Sequence, residues 1–284
     1  MSEHLFDFSN LSGQCTVITG GGGVLANAFA KALLGVGCRS ALLDLNSESA
    51  EQAAAQLREE TGGECIGIGC DVLSHASLVE AKQRIEQSFG PVDILINAAG
   101  GNSPKATTEC EQIFPTEQTP GQTSFFDLPM DAFDQALRLN LTGTVLPSQV
   151  FGQAMVQCKS GVILNISSMN AFKPLTRIPA YSAAKCAVSN FTEWLAVHLG
   201  PTGVRVNAIA PGFFLTEQLK YLAFDSEGNL TPRYKKVLSK VAMHRLGKPE
   251  ELQGAVLFLC SDLSQYITGV TLPIDGGFNA SSGV

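Results

Sequence analysis

Tyr181 and Lys185 stand four residues apart in the run Tyr181-Ser182-Ala183-Ala184-Lys185, a spacing that puts both side chains on one face of a helix. Thirteen residues before the tyrosine is Ser168, just past the run VILNIS, and Asn140 lies earlier in LRLNLTG. A phenol ordinarily titrates near pKa ~10, and a cation one helical turn away favours its anion and lowers that value. Tyr181 beside Lys185 is therefore expected to give or take a proton near neutral pH. Ser168 offers a hydroxyl that can orient a substrate oxygen, and Asn140 an amide that can hold a water relaying protons towards Lys185. Tyr–Lys pairs at this spacing are also common on solvated helices, so this one gains meaning only from a second cluster for the proton transfer to accompany.

That cluster follows the run CTVIT, where Thr19-Gly20-Gly21-Gly22-Gly23-Val24-Leu25 leads into a helical pattern. Glycines allow a tight turn and close backbone approach, and the unpaired N–H groups of a helix N-terminus suit a pyrophosphate. Gly20 to Gly23 with Val24 and Leu25 are the expected cradle. Asp44 ends the next apolar run, placed for its carboxylate to accept hydrogen bonds from both ribose hydroxyls. It would repel a 2′-phosphate, and no Arg or Lys follows it in Asp44-Leu45-Asn46, so the expected cofactor is NAD, with NADH preferred over NADPH. A hydride moving between a nicotinamide and a carbonyl carbon needs a proton on the oxygen, which is the work Tyr181 suits. No metal is expected: His4, His75, His198 and His244 form no HExxH, no Cys-x-x-Cys occurs, and the eight scattered cysteines read as reduced thiols.

Short apolar runs must position these groups. Strands are expected near 15–19, 40–45, 65–70, 92–97, 162–167, 204–210 and 269–274. Between the first two, Leu25, Phe29 and Leu33 recur every four residues; between the third and fourth, Leu78, Ala81 and Ile85 keep a helical rhythm. Several strands are apolar almost throughout, as expected when helices cover both faces. The fold class is α/β, a single Rossmann-type doubly wound domain over residues 1–284, with a seven-stranded parallel sheet. Two segments break the alternation: 101–130, an inserted substrate loop, and 213–245, a mixed segment placed to cover the site.

With the TGGGG turn, Asp71-Val72 after the third strand, Asn97-Ala98-Ala99-Gly100 after the fourth, Pro211-Gly212 and Thr216 after the sixth, and Asp275-Gly276-Gly277 near the end, the chain resembles the short-chain dehydrogenase/reductase family from about residue 11 to Gly277. The resemblance implies that Asn140, Ser168, Tyr181 and Lys185 are the catalytic tetrad. It also implies that Asp71 and Val72 contact the adenine, that Asn97 to Gly100 line the cofactor, and that Pro211, Gly212 and Thr216 flank the nicotinamide amide. The family turn is usually TGxxxGxG; here Val24 and Ala26 take its two later glycine positions, and Ala98 replaces an Asn of the usual NNAG.

The interval between Asn97 and Asn140, 43 residues, is longer than the family's usual one. Its GGNSPKATT and FFDLPMDAF resemble the D-mannonate oxidoreductase (fructuronate reductase) branch, which implies reduction of D-fructuronate to D-mannonate with NADH. A sugar acid needs a cation and convergent donors. Lys105 is the first choice, then Asn102, with Ser103, Thr107, Lys173 and Arg177 as further candidates, Ser168 touching the reacting oxygen, and Arg245 harder to place. The alternatives are another keto sugar acid such as 5-ketogluconate, a small ketone, or a cofactor-binding regulator without catalysis, which would carry a damaged tetrad.

Composition narrows the partners. A net charge of -7, from 19 basic and 26 acidic residues, argues against holding nucleic acid. No run approaches the ~18 apolar residues that span a bilayer, and the N-terminus MSEHLFDFSN carries acids where a leader carries bases. A cytoplasmic protein is expected, with no membrane partner and a homo-oligomer, dimer or tetramer, as the resemblance implies.

Overall fold

The computed structural model describes residues 7–114, 121–216, 219–220 and 223–282. Seven strands, β1 (Cys15–Thr19), β2 (Arg39–Asp44), β3 (Cys65–Gly69), β4 (Ile94–Asn97), β5 (Gly161–Ile166), β6 (Val204–Pro211) and β7 (Thr271–Ile274), form one parallel sheet in the order β3-β2-β1-β4-β5-β6-β7. The chain winds outward from β1 in one direction and from β4 in the other, so a crevice opens at the carboxyl ends between them. Strand β7 starts two residues later than expected because Gly269 has φ +80°, outside the extended range.

Alternate strand residues serve opposite layers. Ile18, Ile94, Ile96 and Leu164 pack beneath α1 (Val24–Gly35), with Phe29 and Leu33 of that helix fully buried. Val17, Leu95 and Ile163 face the other way, among Leu78 and Ile85 of the helix α3 (His75–Phe89) and Phe151 of α5 (Gly143–Cys158). This is why the central strands are apolar at consecutive positions. Helix α2 (Ser47–Thr61) is capped by the Asn46 side chain, which accepts from Ser49 N, and ends at Gly62 with φ +69°. It lies against β3 so closely that a Cβ on Gly67 would sit 2.4 Å from the Ala50 carbonyl carbon. Helices α4 (Met130–Leu137), α6 (Pro179–Leu199), α7 (Pro232–Leu238) and α8 (Gln253–Cys260) complete the described elements.

The eight cysteines are all free thiols, and burial pushes Cys15, Cys38, Cys65 and Cys260 up to about 12. Unfolded thiols ionise near 9, so the folded chain holds these protons longer than the unfolded one does. Their contribution to stability is whole below pH ~9 and is lost as pH rises towards 12, at most about 1.4 kcal/mol per pH unit for each thiol. Denaturant midpoints measured under reductant from pH 8 upward are expected to fall steeply above pH 9; a flat profile there contradicts buried neutral thiols.

Candidate active site

The glycine turn is wedged between the ends of β2 and β4. Gly20 has φ +67°, and a Cβ on it would lie 2.9 Å from Ala99 Cα, while one on Gly21 would lie 2.6 Å from Leu42 Cβ. Gly22 donates its N–H to Asp44 Oδ2 at 3.0 Å, and Asn46 N–H donates to Asp44 Oδ1 at 3.0 Å. Sequence-distant Asp44 therefore stands at the edge of the turn. Gly23 caps α1, whose first N–H groups, from Val24 and Leu25, open into the crevice end of the sheet. Val24 is half-exposed, and Ala26, at the other expected glycine position, is buried against the sheet. The turn packs so tightly on Ala99, Leu42 and Ser49 that a Cβ at 20, 21 or 22 would collide with them, which leaves a glycine turn and a helix N-terminus next to a carboxylate: the arrangement fits a pyrophosphate and a ribose diol.

The other expected cofactor residues share this crevice edge. Thr19 Oγ1 accepts from Ala98 N and Ala99 N, both at 3.0 Å, locking the end of β4 to β1. Asp71 Oδ1 accepts from Leu73 N at 2.8 Å, and Val72 packs on Gly143. Pro211 ends β6; Gly212 N donates to Ile274 O at 2.9 Å, and Thr216 Oγ1 accepts from Leu219 N at 3.2 Å.

Tyr181 and Lys185 lie on one face of α6, the ammonium 5.7 Å from the ring centroid. Lys185 Nζ donates to Ile166 O at 2.8 Å, and burial pulls its pKa down to about 8. The Ser168 hydroxyl lies near enough to the Tyr181 phenol to favour its anion, and Ser168 Oγ accepts from Asn170 N at 3.2 Å at the head of a short 3-10 turn. One expectation is corrected here. Burial pushes the Tyr181 phenol up, and the Ser168 hydroxyl only partly offsets it. Among the protein's own groups the balance is set by desolvation rather than by Lys185, so the phenol stays neutral and ready to donate.

Asn140 lies beside this group. It is fully buried in a π turn, Arg138–Thr142, between α4 and α5. Its Oδ1 accepts from Gly101 N at 3.1 Å, and its Nδ2 donates to Gly101 O at 2.9 Å and to Ala136 O at 2.8 Å. Both amide protons go to backbone carbonyls, which ties Asn140 to the start of the insertion. Gly100 must be glycine for this fit, since a Cβ there would lie 2.5 Å from Asn140 Oδ1 and 3.2 Å from Lys185 Nζ. Beneath it, Asn97 Nδ2 donates to Ser148 Oγ at 3.0 Å and to Asn165 Oδ1 at 2.9 Å, and Asn165 Nδ2 donates to Thr192 Oγ1 at 2.9 Å. Sequence reading missed Asn165, Ser148 and Thr192. The signal was an amide inside the apolar run VILNIS, which needs partners once buried.

The family model described as enoyl-(acyl carrier protein) reductase matches residues 23–279. The chain belongs to the short-chain dehydrogenase/reductase family. An uncharacterized oxidoreductase of Bacillus subtilis, UxuB, is 47% identical over 278 residues, 97% of this chain and 98% of its own. A crystal structure of a presumed D-mannonate oxidoreductase from Haemophilus influenza with bound NAD superposes with a TM-score of 0.93 at 46% identity, covering 98% of this chain and 99% of that one. A xylitol dehydrogenase bound to NAD+ gives 0.81 at 32% identity, covering 94% and 99%. As in other short-chain dehydrogenases, the chemistry is oxidoreduction of an alcohol or keto group. Among the described residues no helix is long and apolar enough to cross a membrane, and no three His, Cys, Asp or Glu side chains gather as metal ligands.

The insertion is tied to the segment that leads into α6. Thr108 N donates to Arg177 O at 2.8 Å, and Arg177 Nε donates to Thr108 O at 2.6 Å. Arg177 adopts φ +78°, a conformation rare for a side chain of its size. The other expected cations are less well placed. Lys105 is exposed on a single 3-10 turn, Pro104–Ala106, and Asn102 Nδ2 is spent on Thr107 Oγ1 at 2.9 Å. Lys173 Nζ donates to Ser281 O at 2.6 Å, and Arg245 forms a two-pronged pair with Glu251 at 2.7 and 2.6 Å. Residues 115–120 of the insertion, and 217–218 and 221–222 of the covering segment, lie outside the described residues.

Proposed function

We propose that the protein is an NAD-dependent reductase of keto sugar acids, acting on D-fructuronate and returning D-mannonate. The observation that carries the reading is the pairing of Tyr181 with the buried Lys185 on α6, just past the end of β5 where Ser168 stands, together with a glycine cradle edged by Asp44. The substrate choice is supported by similarity over nearly the whole chain, insertion included, to the NAD-bound Haemophilus enzyme. The chain is read as one functional unit, residues 1–284, with 101–130 as substrate loop and 213–245 as its cover.

NAD, when bound, supplies the hydride donor or acceptor. Gly20 to Gly23 with the N–H groups of Val24 and Leu25 would hold its pyrophosphate, Asp44 its adenine-side ribose, Asp71 and Val72 the adenine. Asn97 to Gly100 would line it, and Pro211, Gly212 and Thr216 would border the nicotinamide amide. Ser168 donates a hydrogen bond to the substrate carbonyl oxygen and orients it. Tyr181 gives that oxygen its proton in reduction and recovers it in oxidation. Lys185, buried and held by Ile166 O, keeps a positive charge beside the phenol at neutral pH, favouring the phenolate left after donation. Asn140 positions the insertion over this group through Gly101.

The test is NADH oxidation with D-fructuronate, 5-ketogluconate and neutral ketones, repeated with NADPH. D-fructuronate is expected to give the highest kcat/KM, at least about tenfold above neutral ketones, the scale of one charge-assisted contact. Preference for a neutral ketone overturns the substrate reading and leaves the dehydrogenase chemistry in place.

A further inference from the structure

The insertion is pinned to the covering segment as well as to the catalytic loop. Glu111 of the insertion pairs with Lys236 of α7, a contact between residues far apart in sequence. Arg233 lies three residues before Lys236, on the same face of that helix. Tyr234, on the buried side, packs edge-on against Phe213 at 6.3 Å, next to Gly212 at the end of β6. Helix α7 is thus anchored to the segment that follows β6. From the other side, Arg177 is bonded to Thr108, three residues from Glu111, and lies four residues before Tyr181.

Lys236 therefore pairs with Glu111 and is the main cause that holds its carboxyl below the usual range, with smaller contributions from the nearby charges of Arg233 and Arg177. Neither Nη group of Arg177 has a hydrogen-bond partner among the described residues, because its one side-chain bond uses Nε. The neighbouring carboxylate, Glu109, is turned away to accept from Thr123 N at 2.7 Å. The cluster carries two more positive charges than the one carboxylate it holds. Glu111 and Lys236 are both substantially exposed, so their pair contributes little and a competing carboxylate can take its place.

Resting on the keto sugar acid reading above, we propose that Arg177, Arg233 and Lys236 form the seat for the substrate's carboxylate, and that Glu111 occupies this seat until the substrate exchanges with it. Arg177 lies just before α6, four residues ahead of Tyr181, and the substrate's keto carbon must reach the Tyr181 hydroxyl from this seat. Cations here select an acid over a neutral polyol, and Glu111 keeps the cluster paired between turnovers. Lys105, on its exposed turn, is outside this group.

Calorimetric titration of the protein saturated with NADH, with which an alcohol cannot react, gives a direct test using D-gluconate as the acid and sorbitol as its neutral counterpart. Lys236→Met and Arg233→Met are expected to weaken D-gluconate binding about tenfold each, about 1.4 kcal/mol, and to leave sorbitol unaffected. Glu111→Gln is expected to tighten D-gluconate binding about threefold by removing the internal competitor. NADH affinity, unchanged in all three, reports that each variant folds. Weakened or unaltered D-gluconate binding in Glu111→Gln overturns the proposal, because a merely structural latch loses order when broken. So does indifference to Lys236→Met and Arg233→Met, or the absence of D-gluconate binding to the unmodified protein. The reaction fails separately: this binding pattern without NADH oxidation by D-fructuronate refutes the activity and keeps the seat.

Discussion

Tyr181→Phe is expected to lower kcat for carbonyl reduction about 10³-fold while leaving NADH affinity within about twofold. The substitution removes one oxygen and keeps the ring, so the packing on α6 and the 5.7 Å approach of Lys185 survive. What is lost is the proton donor and the neighbour of Ser168. The phenol is protonated at neutral pH and has a proton to give, and its loss leaves the hydride-accepting carbonyl without that donor. Ser168 cannot substitute readily, since an aliphatic hydroxyl is a far weaker acid. The decisive measurement is single-turnover NADH oxidation with the best keto substrate, paired with NADH fluorescence titration. A rate within tenfold of the unmodified protein would remove Tyr181 from the reaction.

Asp44→Ser should reverse the cofactor preference. Asp44 accepts one bond from Gly22 N and one from Asn46 N, and each carboxylate oxygen keeps capacity to accept another. Hydrogen bonds to a charged group are worth about 1.5–3 kcal/mol each, so losing two ribose contacts should cost NADH about 10²-fold in kcat/KM. Removing the negative charge simultaneously relieves repulsion of a 2′-phosphate, so kcat/KM with NADPH should rise. Serine keeps an acceptor for Gly22, which limits damage to the turn. Steady-state kinetics with both cofactors give the ratio; an unchanged ratio would take the ribose away from Asp44.

What could be read from the sequence, and what could not, follows the range of the interactions. The cradle and Asp44 were legible because each sits at the end of an apolar strand, and parallel pairing of β1 with β2 brings those ends together. The Tyr181–Lys185 pair was legible because helical spacing is local. The direction of the Tyr181 shift was not, because it depends on how many atoms from other elements crowd the hydroxyl. Asn140 looked like a free amide until its partner, Gly101, 39 residues away, was in place. The sequence favours Lys105 over Arg177 as the loop cation; a bond to Thr108 across 69 residues ties Arg177 to the insertion, and Glu111 meets Lys236 across 125. Such contacts leave no periodic trace in the chain.

The insertion is not a detachable attachment. Gly101 is gripped by Asn140, Thr108 by Arg177, and Glu111 by Lys236, so three separate stretches of the scaffold each own one of its fastenings. Transplanting residues 101–130 into a relative would carry one half of every fastening and leave the other behind. New substrate ranges on this scaffold must then arise by coordinated change at positions 140, 177 and 236 together with the loop, and a chimera lacking them should lose activity before it gains any.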